Sequence, residues 1–235
     1  MTQYSQYSNV VSATTDAGYP VILEDGNTKG WYLADNLDTI TKDGSDRVSV
    51  WADFLASGHD LIQATDIKQP LYTGSGILFC GGVPRTEVLK ATFPWVQPAK
   101  YYIVFKVVSW TNVDFIFDGN VASTTLLYQS AITPGLKAYA GTASSQNNNL
   151  AVDTLGLVKV LFNGALSKFQ INETAVIEWN AGNNDPAGFT LGAQGNQASN
   201  PSNIEVAEII LRKIVDTVDN DAAISAYLTT RHLII

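Results

Sequence analysis

One cysteine, Cys80, and two histidines, His59 and His232, far apart in the chain, are all that these 235 residues offer a soft metal, so zinc and iron-thiolate centres are excluded. An intrachain disulfide is excluded for the same reason. Cys80 lies in the apolar run GILFC, where a small buried thiol is expected. Charge is also scarce: charged residues make up 15% of the chain and the net charge is -8, a field that repels phosphate backbones and anionic membranes. No nucleic-acid partner is expected. No apolar run approaches the roughly 20 residues that span a bilayer, so no membrane insertion is expected either. The opening MTQYSQYSNVVSATTDAGYP has neither a basic nor an apolar region of the kind a secretory signal needs, which points to synthesis in a cytoplasm without export by that route. Long repeats, heptads and a glycine-rich phosphate cradle are missing too, since Gly81-Gly82 leads into Val-Pro and not into a helix.

What is present is β-sheet chemistry. Apolar residues make up 46% of the chain, enough for a sizeable core in one domain. Residues 1–19 are polar and aperiodic and read as a flexible or partner-docking arm; residues 20–235 read as the folded body. Thirteen short β-rich runs, from VILED at residue 21 to IEVAEIILRK at 204, alternate with Gly, Asn, Asp and Pro at the spacing of a sandwich or barrel. In VKVLFNGALSKFQIN, Asn163-Gly164 predicts a hairpin with a type I′ turn. In YYIVFKVVSW both alternate sets of side chains are largely apolar, which predicts a central strand covered on both sides. Only the C-terminus reads as a helix of any length, with Asp219 as N-cap, Ile224, Tyr227 and Leu228 on one face, and Arg231 and His232 at the carbonyl end.

The run GWYLADN, then VSVWADFLASGHDLIQATDIKQPLY, GILFCGG, GFTLGAQG, SNIEVAEIILRK and finally AISAYLTTRH resembles the laminin-G-like group of the concanavalin A-like lectin/glucanase superfamily, over about residues 20 to 235. The resemblance implies an all-β, two-sheet antiparallel jelly-roll sandwich with a short C-terminal helix. It also implies the settings in which such domains occur: extracellular adhesive proteins, modules appended to glycan-active enzymes, and structural proteins of bacterial viruses. Where the group commonly has Phe-Asp-Gly, this chain has Phe79-Cys80-Gly81, and the paired Asp/Asn positions that hold calcium in many relatives are not evident.

Glycanases of this fold carry acid and nucleophile on one face of a strand about 5 Å apart. Here Glu205 and Glu208 are three residues apart, which on a regular strand puts them on opposite faces. Asp114 and Asp118 share a face, but roughly 13 Å of extended chain separates them. No catalytic residue is therefore assigned. The strip Trp51, Asp53, His59 and Asp60 reads as scaffold: Trp51 as core, Asp53 as the tie of the following turn, and His59 as surface polar. No cofactor is required. Calcium is left open, with Asp118 and Asn120 as weak ligands and turn capping as the competing reading.

Binding asks for less. Sugars on β-sandwiches are met by an aromatic face and by amides for the hydroxyls. Trp95 and Trp110 stand at strand ends or in loops, and three loops are rich in amides, giving Asn147 and Asn148, Asn183 and Asn184, and Gln194 and Asn196 as candidates. The reading that results is a non-enzymatic virion protein of a bacteriophage, such as a capsid decoration, head fibre or tail accessory. Its arm would dock on other virion proteins, with self-association through the arm, as a trimer for example, and the sandwich would attach to host-surface glycans. A carbohydrate-binding module or adhesin of a bacterium is the alternative, with a glycoside hydrolase behind both.

Overall fold

A computed structural model describes residues 18–80 and 87–234. The expected arm lies, apart from its last two residues, outside the described residues, and so does the side chain of Cys80. The described strands form two antiparallel sheets of eight strands each, stacked as a sandwich, with one helix, Val218–Arg231, on the outer side of the first sheet.

Ala99–Ser109 lies inside the first sheet, between Gly156–Phe162 and Asn203–Arg212. Its alternating apolar sets explain this place. Tyr101, Ile103, Phe105 and Val107 join the core between the sheets, while Tyr102 and Val104 join a second apolar cluster on the outer face. That outer cluster exists because Ile224 and Leu228 of the helix, together with Leu23, cover the sheet there, on which Trp31 also projects outward. Beyond Gly156–Phe162 the sheet continues through Ser167–Ile171 to the edge strand Ile177–Trp179. Thr28–Leu33 and Ile77–Cys80 share the other side of Asn203–Arg212, and Leu71–Tyr72 pairs with Ile77–Cys80 at that edge. The second sheet runs Leu136–Tyr139, Leu126–Gln129, Phe115–Asp118, Phe189–Leu191, Leu89–Ala91, Leu61–Ile62, Val48–Trp51, Ile40–Lys42.

Four local expectations change. The run VILED is not a strand: Val21–Glu24 forms a 3-10 turn after Pro20, whose fixed φ suits a helical entry. The hairpin between Gly156–Phe162 and Ser167–Ile171 is present, but its connection is a four-residue loop, Asn163 to Leu166, and not a type I′ turn. Asn163 keeps φ at -155°, and Ser167 closes the loop by taking the Asn163 N–H and donating to the Gly164 carbonyl. The helix is capped by Thr217, whose hydroxyl accepts from the Asn220 N–H, and not by Asp219. Finally, Asn203–Arg212 carries a β-bulge between Val206 and Glu208, so Val206 and Ile209 both point into the core. The bulge puts Glu205 and Glu208 on the same outer face, where a regular strand would have separated them.

Candidate functional site

Sharing a face does not make the two glutamates a catalytic pair. Glu208 is fully buried; one oxygen accepts from the Trp31 indole N–H at 2.7 Å, and the other meets His232 Nε2 at 2.8 Å and Arg231 Nε at 3.3 Å. Glu205 is held by the Thr73 hydroxyl at 2.6 Å and by Lys106 at 3.2 Å. Every carboxyl oxygen of the pair is already used in holding the scaffold.

The Trp51–Asp60 strip is scaffold in the structure as well. Trp51 is buried, and Asp53 accepts the Trp31, Leu55 and Ser57 N–H groups. Asp60 turns away to accept from the Asp53 N–H. His59 departs from the surface-polar expectation: it is half-buried, with its ring stacked on Phe93 at 4.1 Å and Nδ1 against the Lys29 carbonyl. Ser57 Oγ lies 3.1 Å from that same nitrogen, so the carbonyl competes for it and Asp60 takes no part.

Asp118 is fully buried and accepts four backbone N–H groups, from Gly119, Ser123, Thr124 and Gly195, at 2.7–3.1 Å. Two donors on each oxygen occupy the carboxylate's capacity. Asn120 is engaged too, its amide oxygen accepting from the Thr92 hydroxyl. Of the two readings left open for this pair, these contacts are those of turn capping: Asp118 is a loop tie, and no group of three or more His, Cys, Asp or Glu suited to a metal occurs among the described residues.

The eight predicted binding residues do not form one edge. Trp95 is 1% exposed and is corrected to core: it is one layer of a stack running His59, Phe93, Trp95, Tyr101, Phe117. The reason is that the inward parity of Leu89 and Ala91 continues past the strand end, so Phe93 and Trp95 also face the gap between the sheets while Thr92 and Pro94 face out. Trp110 is half-buried, its indole N–H donating to the Ser130 carbonyl. Asn147 is corrected as well, being 3% exposed, bridged to Leu136 and spent on Asn149; Asn148 beside it is exposed and accepts from Gln146. Both stand at the Trp110 end of the sandwich, roughly 30 Å along Ala99–Ser109 from the loops at its start. Gln194 and Asn196 bond each other, Ser123 and Ala198, and serve to fold their loop against Asp118.

Asn183 and Asn184 remain. Asn183 is exposed, and neither side-chain amide has a hydrogen-bond partner among the described residues. Their loop is fixed from below by Gln97, which donates to the Gly182 and Asn184 carbonyls, accepts from Gly164 N–H, and uses its own N–H on Asp185. Gly182, at φ +88°, lets the backbone pass Ala140, whose oxygen would lie 2.7 Å from an added Cβ. Trp179, the last residue of the edge strand, stands half-buried beside this loop with its indole N–H on the Thr142 carbonyl, which leaves ring surface for contact. Sequence reasoning missed both Gln97 and Trp179. A tryptophan placed immediately before NAGNNDP was the available signal.

At the Trp110 end, burial pushes the Asp114 carboxyl up to about 6, against the pull of its bond to Thr111. A folded value above the unfolded one means that the protonated form is favoured by folding, so this stabilising contribution is complete below about pH 4 and is lost as pH rises through about 6. Asp114→Asn is therefore expected to stabilise the fold by about 1–2 kcal/mol at pH 8 and to change little at pH 3.5. Urea denaturation at the two pH values checks this.

Comparison with known proteins bears on the fold. No family model matches the chain, and no curated protein matches it. Among solved structures, the sandwich is similar to Trypanosoma rangeli sialidase (TM-score 0.63, 11% identity, 95% of this chain, 36% of that one) and to the same sialidase in complex with sialic acid (0.60, 10%, 95%, 36%). It is also similar to a GH54 α-L-arabinofuranosidase soaked with a cyclic sulfate inhibitor (0.60, 12%, 77%, 50%). The chain spans about a third of the sialidase and half of the arabinofuranosidase. At these identities the likeness is one of fold, and it places this protein among two-sheet antiparallel β-sandwiches.

Proposed function

We propose that the protein is a non-enzymatic, laminin-G-like sandwich that holds glycans at the end formed by Trp179, Asn183 and Asn184. The observation that carries this reading is the pair of uncommitted amides, held in place by Gln97 beside an indole ring, while Glu205 and Glu208 are consumed by internal contacts. A ring face for C–H groups and amides for hydroxyls is what a sugar asks of a protein surface. The likeness to sandwich portions of two glycan-active enzymes supports the reading at the level of fold. Attachment at the surface of a bacteriophage particle, with residues 1–19 docked on other virion proteins, is the setting we propose for this activity, on the strength of the sequence resemblance.

A glycan array tests it. Wild-type protein is expected to give a discrete set of hits, and Trp179→Ala to weaken them at least about tenfold. Asn183→Ala, which touches no internal hydrogen bond, is expected to weaken them with an unchanged melting temperature. An array without hits, or hits indifferent to both substitutions, would reject the proposal.

A further inference from the structure

A cavity lies on the outer face of the first sheet, about 360 Å³ in volume, between the strands Gly156–Phe162 and Ser167–Ile171 and the start of the helix Val218–Arg231. Its floor and its rim differ in character. The floor carries Lys100 and Lys159, both more than nine-tenths buried, and the rim carries Val176, Val215 and Val218, which are 46%, 47% and 86% exposed.

The two floor lysines are not equally satisfied. Lys159 divides its three protons among Glu173, Asp221 and Ser225. Lys100 meets one acceptor, Asp221 at 2.6 Å, and lies over the Tyr102 ring at 4.8 Å, so two of its ammonium protons have no acceptor among the described residues. Buried donors in that state call for a partner from outside the chain. The other charges limit what that partner can be. Asp216 is spent on Arg212 and the Tyr102 hydroxyl, and Asp221 on Lys100, Lys159 and Tyr102. With Glu173 these carboxylates oppose a second negative charge. At the mouth, Lys168 is half-exposed and pairs with the exposed Glu178 at 3.2 Å, its only ion pair among the described residues.

We propose that this cleft binds a small monocarboxylate with an aliphatic body, its carboxylate accepting from Lys100 and Lys168 and its body lying on Val176, Val215 and Val218. One anionic charge completes the Lys100 ammonium, whereas a dianion meets Asp221 and Glu173. The aliphatic part covers valines that water now wets, and the volume lies within the range of small-molecule sites. Burial holds the Lys100 amine below the ordinary lysine value, with Asp221 pulling the other way, as fits a buried cation short of acceptors.

The test is titration of the full-length, isotopically labelled protein with sodium hexanoate, hexanamide, glucuronate and inorganic phosphate, followed by amide NMR shifts. Hexanoate is expected to move the resonances of Val176, Val215, Val218 and Lys100 with a Kd on the order of 1 mM, and hexanamide and phosphate to leave them in place. Val218→Asp, on a fully solvated rim position, is expected to weaken hexanoate about tenfold without loss of melting temperature, and Lys100→Met to abolish the response. Absence of shifts with hexanoate, equal shifts with hexanamide, a phosphate response in the cleft, or tighter binding of glucuronate than of hexanoate would each overturn the proposal. Because the cleft shares no residue with the Trp179 end, failure here leaves the glycan-holding reading to stand or fall on its own experiment.

Discussion

Arg212→Ala is expected to destabilise the protein by about 3–5 kcal/mol, enough to leave a large share of the chain unfolded near 37 °C if total stability is ordinary. The side chain is fully buried, and all five of its donors are engaged: Asp216 takes Nε–H and one Nη2 proton as a forked pair, Asp25 takes the other Nη2 proton, and the two Nη1 protons go to the Ile22 carbonyl and the Thr28 hydroxyl, with Asp25 a longer third neighbour of Nη1 at 3.3 Å. It joins the entry turn, two strands and the approach to the helix. Removing it strands Asp216, whose side chain is 1% exposed, as an uncompensated buried carboxylate. Arg212→Lys should recover little, because one ammonium cannot reproduce a planar fork of five donors. For Asp25, burial pushes the carboxyl up, but Arg212 and Asn27 outweigh it and hold the value below the ordinary one. A depressed folded value means stability that is present above the unfolded value near 4 and is lost as pH falls further, so the wild type should lose stability on acidification more steeply than the variant. Thermal and urea denaturation from pH 3 to 7 measure both effects.

Asp118→Ala is expected to cost about 2–5 kcal/mol, since each buried donor left without an acceptor is worth about 1–3. Of its four partners, the Gly119 and Gly195 N–H groups are buried and those of Ser123 and Thr124 are nearer solvent, so the loss centres on the first two. Asp118→Asn should be nearly as costly: its NH2 group would face N–H donors. Two loops would detach together, 119–124 and 193–199, and hydrogen exchange should rise in both while Ala99–Ser109 stays protected. If Asp118 were instead a cation ligand, calcium would raise the melting temperature of the wild type and chelation would lower it; neither change is expected.

The layers of this protein were easier to read than its ends. In Ala99–Ser109 both alternate sets are apolar because a sheet covered on one side by its partner and on the other by a helix demands it, and that demand is written in single residues. Trp95 misled because a tryptophan between two prolines suits a loop, and the backbone there is indeed irregular; yet the alternation of Leu89 and Ala91 carries on through Phe93 and holds the indole inward. The face shared by Glu205 and Glu208 was invisible for a different reason. A bulge is a property of pairing between distant strands, and nothing in IEVAEIILRK announces that Ala207 is the extra residue. The amide loops were recognised as a class, yet Asn147 is spent on Asn149 within its own turn while Asn183 is left free, a difference set by the path of each loop, which in the second case is fixed from the distant Gln97.

The most direct test of a surface that grips without cleaving is to follow the best glycan of the array by NMR in the presence of wild-type protein for a day. The expected result is an unchanged sugar, with protein shifts gathered at the Trp179 indole and the side-chain amides of Asn183 and Asn184. A shortened glycan, or shifts gathered at the Trp110 end instead, would contradict the account.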